Sequence, residues 1–481
     1  MENSFRHATP VASAAALSAN QRSRVLELVD PAIFYALVSL IALTAIPYGT
    51  VAPWSQAVFE GAVFLLTLIW AIHGLLSGSW GVGKTSLILP MAALVVLAIV
   101  QSVVWSQVDW AGNKVGYSLS ADPFESSIFV LRTSALILTA LLLIRFTSSR
   151  RRLGVLIHAI IGVAVLSALF GIGRQAMQHT PGFVLPRLTP SVGYGQFINR
   201  NHFAFLMEMA VGLVVGLVLM RGRRRERIPV YLAALLAMGA ALVLSQSRGG
   251  LMSMMAQVIF TAIVFVNSRR ARKAGDEVTQ PARFGRLRSL PVKVIMAGAF
   301  LAIIITGIGW LGGDQLATGV ETVAVELAGV DRTELHEGSR RRDIWRASWL
   351  MFKAHPIVGA GLGGYWAEVP TYHQASGVTT PQQAHNDYLE LLASAGVVGA
   401  GILAWFAVAL IRQARQNVRD SEGLQRAASL GALVGIAGVS VHSIVDFGLH
   451  ITVNGIVFIA LLAIISLDRM PRATNFHEDP S

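Results

Sequence analysis

A chain of 481 residues in which 54% are hydrophobic and only 14% charged is too apolar for a water-soluble protein. Its net charge of +12 would suit a nucleic-acid partner, but the basic residues punctuate apolar runs instead of forming a patch, which excludes that reading. The absence of cysteine excludes disulfides, thiolate catalysis and Cys-ligated zinc or iron–sulfur centres.

A membrane span needs roughly 20 predominantly apolar residues. Such runs lie near 31–48, 55–76, 86–104, 125–146, 153–173, 201–220, 229–246, 250–267, 293–312, 394–411, 426–446 and 449–467, so an all-α integral membrane protein with about twelve transmembrane helices is expected. Residues 1–29 contain the Ala/Ser-rich VASAAALSAN, form a polar lead too long for a secretory signal, and are expected to be a disordered, uncleaved cytoplasmic tail. Helices 1–9 fill 30–312, broken by the basic stretch 268–293, which reads as a solvated linker attracted to anionic headgroups. A large outer loop spans 313–393, helices 10–12 span 394–468, and 469–481 form a second cytoplasmic tail.

Charge order assigns the sides. With the N-terminus inside, alternate loops hold Arg6, Arg22 and Arg24, Lys84, Arg145 and Arg150 to Arg152, Arg221 through Arg227, Arg269 through Lys293, Arg412 through Arg426, and Arg469 and Arg472. These are roughly 27 of the 39 Lys and Arg residues, as the positive-inside rule requires, so both termini are expected in the cytoplasm. Three longer connections then face outward, near 105–124, 174–200 and 313–393.

Residues 78–85, GSWGVGKT, match the letters of a phosphate-binding loop, but they form a short inner turn between spans, without the preceding strand that mechanism needs. Metal ligation has no support in the outer loops, which lack His-x-x-x-His, Glu-x-x-His or Asp-x-Asp spacing. The first outer segment, IPYGTVAPWSQ, carries no acid, unlike that of metal-dependent membrane glycosyltransferases of the oligosaccharyltransferase kind. No cofactor or metal is therefore expected.

The long outer loop is patterned. Leu316, Val320, Val323 and Leu327 recur on one helical face, which suits a helix on the membrane surface. In GSRRRDIWRASWLMFKAHPIVGAGLGGYW, Trp345, Trp349 and Phe352 form a stripe with Arg341 one turn before Trp345, and Pro356 and the following glycines end the helix. Thr380-Pro381 reads as a helix start with Gln383 completing a capping box and Gly396 as the stop, which places His385 one turn into a short helix.

Outer-face arginines run against the charge rule and call for an anionic partner. Arg248 in SQSRGG, Arg200 in NRNH, and Arg340, Arg341, Arg342 and Arg346 all lie on that side. A planar guanidinium pairs with phosphate oxygens in a bidentate fork and stays charged, so a diphosphate is the fitting ligand. His385 would take the proton from an acceptor hydroxyl. His355, His373, His442 and His450 read as structural or solvated.

The ordered set SQSRGG, GSRRRDIWRASWLMFKAHPIVGAGLGGYW and HNDYLELLASAGVVGAG resembles the core of the bacterial O-antigen ligase and O-antigen polymerase family over about 240–405. That resemblance implies a metal-independent, inverting, GT-C-like enzyme of the bacterial inner membrane, with its active site on the periplasmic face. It would transfer an oligo- or polysaccharide from undecaprenyl diphosphate to an acceptor hydroxyl on a glycan, lipid A core or protein. It further implies His385 as general base and Arg248 and Arg341 on the diphosphate, with Arg342 as a further candidate and Asn386 and Trp345 in support. GYGQFINRNHFA resembles a segment of exopolysaccharide and polymerase relatives, which adds Arg200 to the phosphate set and His202 to the supporting one. Relatives often have one Arg where this chain has Arg340-Arg341-Arg342, and the spacing to Trp345 favours Arg341. The competing reading is a transporter or flippase of a lipid-linked glycan, which would draw on Glu60, Arg132 and Glu208 inside spans.

Overall fold

The computed structural model describes residues 10–78, 80–81, 83–108, 114–177, 193–220, 225–276, 337–373 and 381–470. Its helices are α1 (Pro10–Ala45), α2 (Pro53–Ser77), α3 (Ile88–Ser102), α4 (Pro123–Phe146), α5 (Arg150–Ala176), α6 (Arg200–Met220), α7 (Ile228–Leu244), α8 (Arg248–Asp276), α9 (Glu337–Ala354), the single turn α10 (Tyr365–Glu368), α11 (Asp387–Asp420), α12 (Gly423–His442) and α13 (Thr452–Ser466). Seven are long and apolar enough to cross a membrane, and Ile88–Ser102, Ile228–Leu244, Arg248–Val264 and Thr452–Ser466 are shorter apolar helices. Eleven of the twelve expected spans thus coincide with helices, and the run at 293–312 lies outside the described residues, as does the surface helix expected near Leu316.

Three boundaries differ from expectation. Helix α1 starts at Pro10, so most of the expected disordered tail is helical, in keeping with the high helix propensity of its alanines. Helix α8 runs on to Asp276, so the basic linker is helical at its start, where Arg, Lys and Ala are all good helix formers. The outer connection after α3 is not all loop: Trp105–Val108 (β1) and Lys114–Tyr117 (β2) pair antiparallel, with Trp105 opposite Tyr117.

The centre of the bundle is α6 against α12. Of their apolar windows 78% and 67% are buried, against 28% for α2 and α4, which places the first pair inside and the second against lipid. Their contact is made by facing Gly-x-x-x-Gly pairs: a Cβ on Gly212 would strike the backbone of Gly435, and one on Gly216 that of Gly431. Lipid tails are as apolar as leucine, so helices in a membrane gain little from hydrophobicity and associate through such close packing. Helix α13, buried nearly throughout, fills the space behind.

The helix ends sort into two layers. At one end lie the starts of α4, α6, α8 and α11 and the ends of α3 and α12. At the other, Asn417, Gln425 and Ser429 hold the chain after α13, with Asn417 Nδ2 donating to Leu467 O at 2.8 Å and Gln425 Nε2 to Asp468 O at 2.9 Å. Lys84 of the phosphate-loop look-alike pairs with Asp468 at 3.7 Å, so it belongs to this second end. That is roughly 25 Å along α12 from His442.

Candidate active site

The site is built on a broken helix. Within α11, Gly396 has φ 60° and ψ −158°, which interrupts the ladder and leaves backbone groups on both sides without intrahelical partners. The Gly-rich segment after α9 supplies them. Val397 N donates to Pro356 O at 2.9 Å and Val398 N to Ile357 O at 3.1 Å, while Ala360 N and Gly361 N donate to Ala393 O and Ser394 O, each at 3.0 Å. Gly359, Gly361 and Gly363 all have positive φ, and side chains there would collide with Ser394, Ser120 and Glu125. The HPIVGAGLGG motif is thus a splint for the break, and satisfying backbone groups at such a break is obligatory near lipid.

Buried Gln101 at the end of α3 locks the splint. Its Nε2 donates to Val358 O at 2.5 Å and Ser394 O at 3.0 Å, and its Oε1 accepts from Leu362 N at 3.0 Å. Ser126 Oγ adds a bond to Leu362 O at 2.6 Å. The first half of α11 is therefore fixed from both sides, and with it the residues just before its start.

The start of α11 corrects the expected one. The helix begins at Asp387, not at Pro381: Asn386 is the N-cap and accepts from Tyr388 N at 3.1 Å and Leu389 N at 3.0 Å. Gln383 precedes this helix and so completes no capping box at its start; Ala384 N donates to Glu390 Oε2 at 2.7 Å, which ties the residue before His385 to the first turn of α11. His385 precedes the cap with φ 51°, a left-handed conformation that no right-handed helix accommodates. Gly396 does end a short helical half, and the chain then continues as the membrane-spanning half of α11.

The focus of the site is Asp446, in the turn between α12 and α13, which is fully buried. His385 Nδ1 lies 3.6 Å and His202 Nε2 3.9 Å from its Oδ1, and Arg341 Nη2 lies 3.7 Å from its Oδ2. Asn201 Nδ2 hydrogen-bonds Oδ2, and Phe447 N donates to Oδ1 at 2.8 Å. Burial alone would raise the Asp446 carboxyl, but the His385 and His202 imidazoles and the Phe447 N–H outweigh it and hold the group below the usual carboxylate range. The Phe447 ring meets His385 and His202 edge to face, with centroids 4.8 and 4.9 Å away.

Each sequence-derived candidate can now be placed. His385, Arg341 and His202 come together on Asp446. Trp345 Nε1 donates to Ala384 O at 3.0 Å, so the Arg-x-x-x-Trp face of α9 sends one residue to Asp446 and uses the next turn to hold the His385 loop. Asn386 serves as the helix cap. Arg248, exposed, opens α8 directly after Ser247, whose Oγ donates to Asn201 Oδ1 at 2.7 Å and so joins the Asp446 network. Arg200, half-buried, opens α6 beside Asn201. Arg342 is exposed on α9, and the side chain of Arg340 lies outside the described residues. Among the residues of the competing reading, Arg132 pairs with Glu60 at 3.9 Å and Glu208 with His442 at 2.6 Å.

Sequence reasoning missed Asp446 itself, along with Asn201 and Phe447. A signal was present, since Asp446 is the sole acid between residues 427 and 467 of an otherwise apolar stretch. Among the described residues, no three His, Asp or Glu side chains are placed to hold a metal ion.

Residues 233–404 match the family model described as O-antigen ligase. The chain carries an O-antigen ligase domain. The ligase domain runs from α7 into the inner half of α11 and therefore contains Arg248, Arg341, Trp345, His385 and Asn386, the motifs that carried the resemblance. Asn201, His202 and Asp446 reach the site from outside the matched segment. A search of curated proteins found no match to the chain. With the apolar helices, the ligase domain supports a multi-pass enzyme of the bacterial inner membrane that transfers glycans between a lipid-linked donor and an acceptor.

Proposed function

We propose that this ligase-domain protein is a metal-independent, inverting glycosyltransferase of GT-C-like architecture that moves an oligo- or polysaccharide from undecaprenyl diphosphate to an acceptor hydroxyl. The observation that carries the reading is the convergence of His385, His202 and Arg341, from three separate segments, on the one buried carboxylate of Asp446. A carboxylate beside Nδ1 favours the tautomer that leaves Nε2 as the base and stabilises the imidazolium formed when it takes a proton.

In the reaction, an acceptor oxygen attacks the anomeric carbon from the side opposite the diphosphate. His385 Nε2 takes the hydroxyl proton as the new C–O bond forms. The bond from the anomeric carbon to the diphosphate oxygen breaks, and its electron pair leaves with undecaprenyl diphosphate. Arg248 and Arg341 stabilise that charge, with smaller contributions from Arg200 and Arg342. A guanidinium has five N–H donors, so one contact to Asp446 leaves Arg341 donors for phosphate. The imidazolium then releases its proton to solvent. The site is assigned to the periplasmic face, with both termini in the cytoplasm, on the distribution of Lys and Arg among the loops.

The test is reconstitution in vesicles with an undecaprenyl-diphosphate-linked glycan and, separately, glycan, lipid A core and peptide acceptors, with and without chelator. The expected outcome is a new glycosidic bond that forms equally well in chelator. Glycolipid crossing the bilayer without such a bond would replace the reading by a transporter, and loss of transfer in chelator would remove the metal-independent step.

A further inference from the structure

The reaction as drawn leaves one buried titratable pair unused. His442, the last residue of α12, and Glu208 of α6 are both fully buried, and His442 Nδ1 lies 2.6 Å from Glu208 Oε1. The imidazole is stacked on Phe205 with ring centroids 4.2 Å apart. One turn deeper, Gln257 of α8 donates to Glu208 O at 2.8 Å and Val434 O at 3.3 Å, so α6, α8 and α12 are cross-linked around the pair.

Its neighbours are the elements that carry the site. His442 O accepts from Val445 N at 2.9 Å and from Asp446 N at 3.1 Å, which forms the turn that holds Asp446. The next carbonyl, Ser443 O, accepts from Asp387 N at 2.9 Å and thereby fixes the first residue of α11, two places after His385. On its other side the imidazole fills the space over Gly249: a Cβ there would collide with His442 Nε2. Gly249 directly follows Arg248. The His442 ring thus packs against the residue beside Arg248, while its own carbonyl and that of Ser443 hold the turn of Asp446 and the first residue of α11.

We propose that the Glu208–His442 pair is a positioning element for the transfer reaction: it sets the placement of Asp446 and His385 relative to Arg248, and so acts on turnover, not merely on stability. This rests on the glycosyltransferase reading of the site. Buried acid–histidine pairing fixes the direction in which the ring points, and a ring pinned by Phe205 on its face and Gly249 at its edge transmits that direction to the backbone on both sides. A displacement of about 1 Å at a reacting group costs on the order of 100-fold in rate, so the geometry has leverage on kcat.

The experiment compares full-length E208L, E208Q and G249A with S429A in the same vesicles. Ser429 is a buried control on the same helix: its Oγ bonds Asn417 Oδ1 at 2.8 Å at the far end of α12. E208L and G249A are expected to lose about 100-fold in kcat per folded molecule, with donor KM within about threefold. E208Q, which keeps an acceptor for Nδ1–H, is expected to lose about tenfold or less, and S429A to keep wild-type kcat. Backbone amide exchange at 443–447 is expected to rise in E208L and G249A and not in S429A, a readout that needs no turnover. The proposal is overturned if kcat per folded molecule stays within about twofold in G249A and E208Q, if S429A loses as much, or if exchange at 443–447 is unchanged. Should E208L fail to fold, G249A and E208Q decide by the same criteria. If the wild type forms no glycosidic bond, the glycosyltransferase reading fails and the exchange result alone judges the positioning role.

Discussion

Two polar residues at the same end of the bundle, Gln101 and Asp446, are equally buried and otherwise unlike. Gln101 is neutral, and all three of its contacts are short hydrogen bonds to backbone groups, at 2.5, 3.0 and 3.0 Å. Asp446 is charged, and its side-chain neighbours are mostly titratable or cationic groups at 3.6 to 3.9 Å, drawn from α6, α9 and the segment before α11. The first arrangement is what a structural lock needs: every donor and acceptor satisfied by groups that do not move or titrate. The second keeps a charge in place at some cost in desolvation and leaves its partners spare hydrogen-bonding capacity for a ligand. Burial is therefore no guide to role here; the chemistry of the partners is.

That contrast can be broken experimentally. The largest effect is expected from His385→Ala, which removes the base: transfer should fall at least about 1,000-fold at normal expression, measured as glycosidic product per folded molecule. Retained activity would take His385 out of the mechanism. Next, Asp446→Asn is expected to cost about 100-fold in kcat with donor binding preserved, since it removes the carboxylate that orients His385 without changing volume.

The low carboxyl of Asp446 adds a stability signature to the same variant. A depressed folded-state value stabilises the fold fully above the ordinary aspartate range, and that stability is lost as pH falls through the lower value. Thermal melts should show wild type more stable than Asp446→Asn from about pH 5 upward, with the margin shrinking only below about pH 4. A margin that disappears nearer neutral pH would mean that the imidazoles and the Phe447 N–H do not hold the carboxyl down.

Arg248→Lys keeps the charge and loses the fork, and is expected to reduce kcat/KM by about 30-fold, whereas Arg342→Lys should stay within about threefold. Equal effects would redraw the diphosphate site. The smallest change in turnover is expected from Gln101→Leu, which orphans Val358 O and Leu362 N and leaves Ser394 O with Gly361 N alone: stability should drop by about 2–4 kcal/mol while kcat per folded molecule stays near wild type. If that variant lost turnover without losing stability, Gln101 would belong with Asp446 and the contrast would fail.

Much of this was legible in the linear pattern. The apolar runs near 125–146, 201–220 and 426–446 are long and weakly charged, and helices Pro123–Phe146, Arg200–Met220 and Gly423–His442 occupy most of each. Arg341 and Trp345 share a face because 3.6 residues make a turn, so their joint approach to the His385 loop was implicit in the spacing. The helix start expected at Pro381 differs from the observed one because Thr380 and Asn386 are both good N-cap residues, and local propensity does not rank two competing caps; the bonds of Asn386 to Tyr388 N and Leu389 N do. The glycines of HPIVGAGLGG read as a helix stop, whereas their task of splinting a break at Gly396 involves backbone some 35 residues away.

Composition and periodicity, then, determined by themselves that the chain is a helical membrane protein and roughly where its helices lie, because each of those properties is set by neighbours within a turn or two. Only the tertiary structure decided that Asp446 is the common partner of His385, His202 and Arg341, and that His442 and Glu208 pair beside them. Those relations join residues separated by 61 to 244 positions along the chain. Contacts of that range are fixed by how closely α6 and α12 pack and where α11 breaks, and no local pattern encodes them.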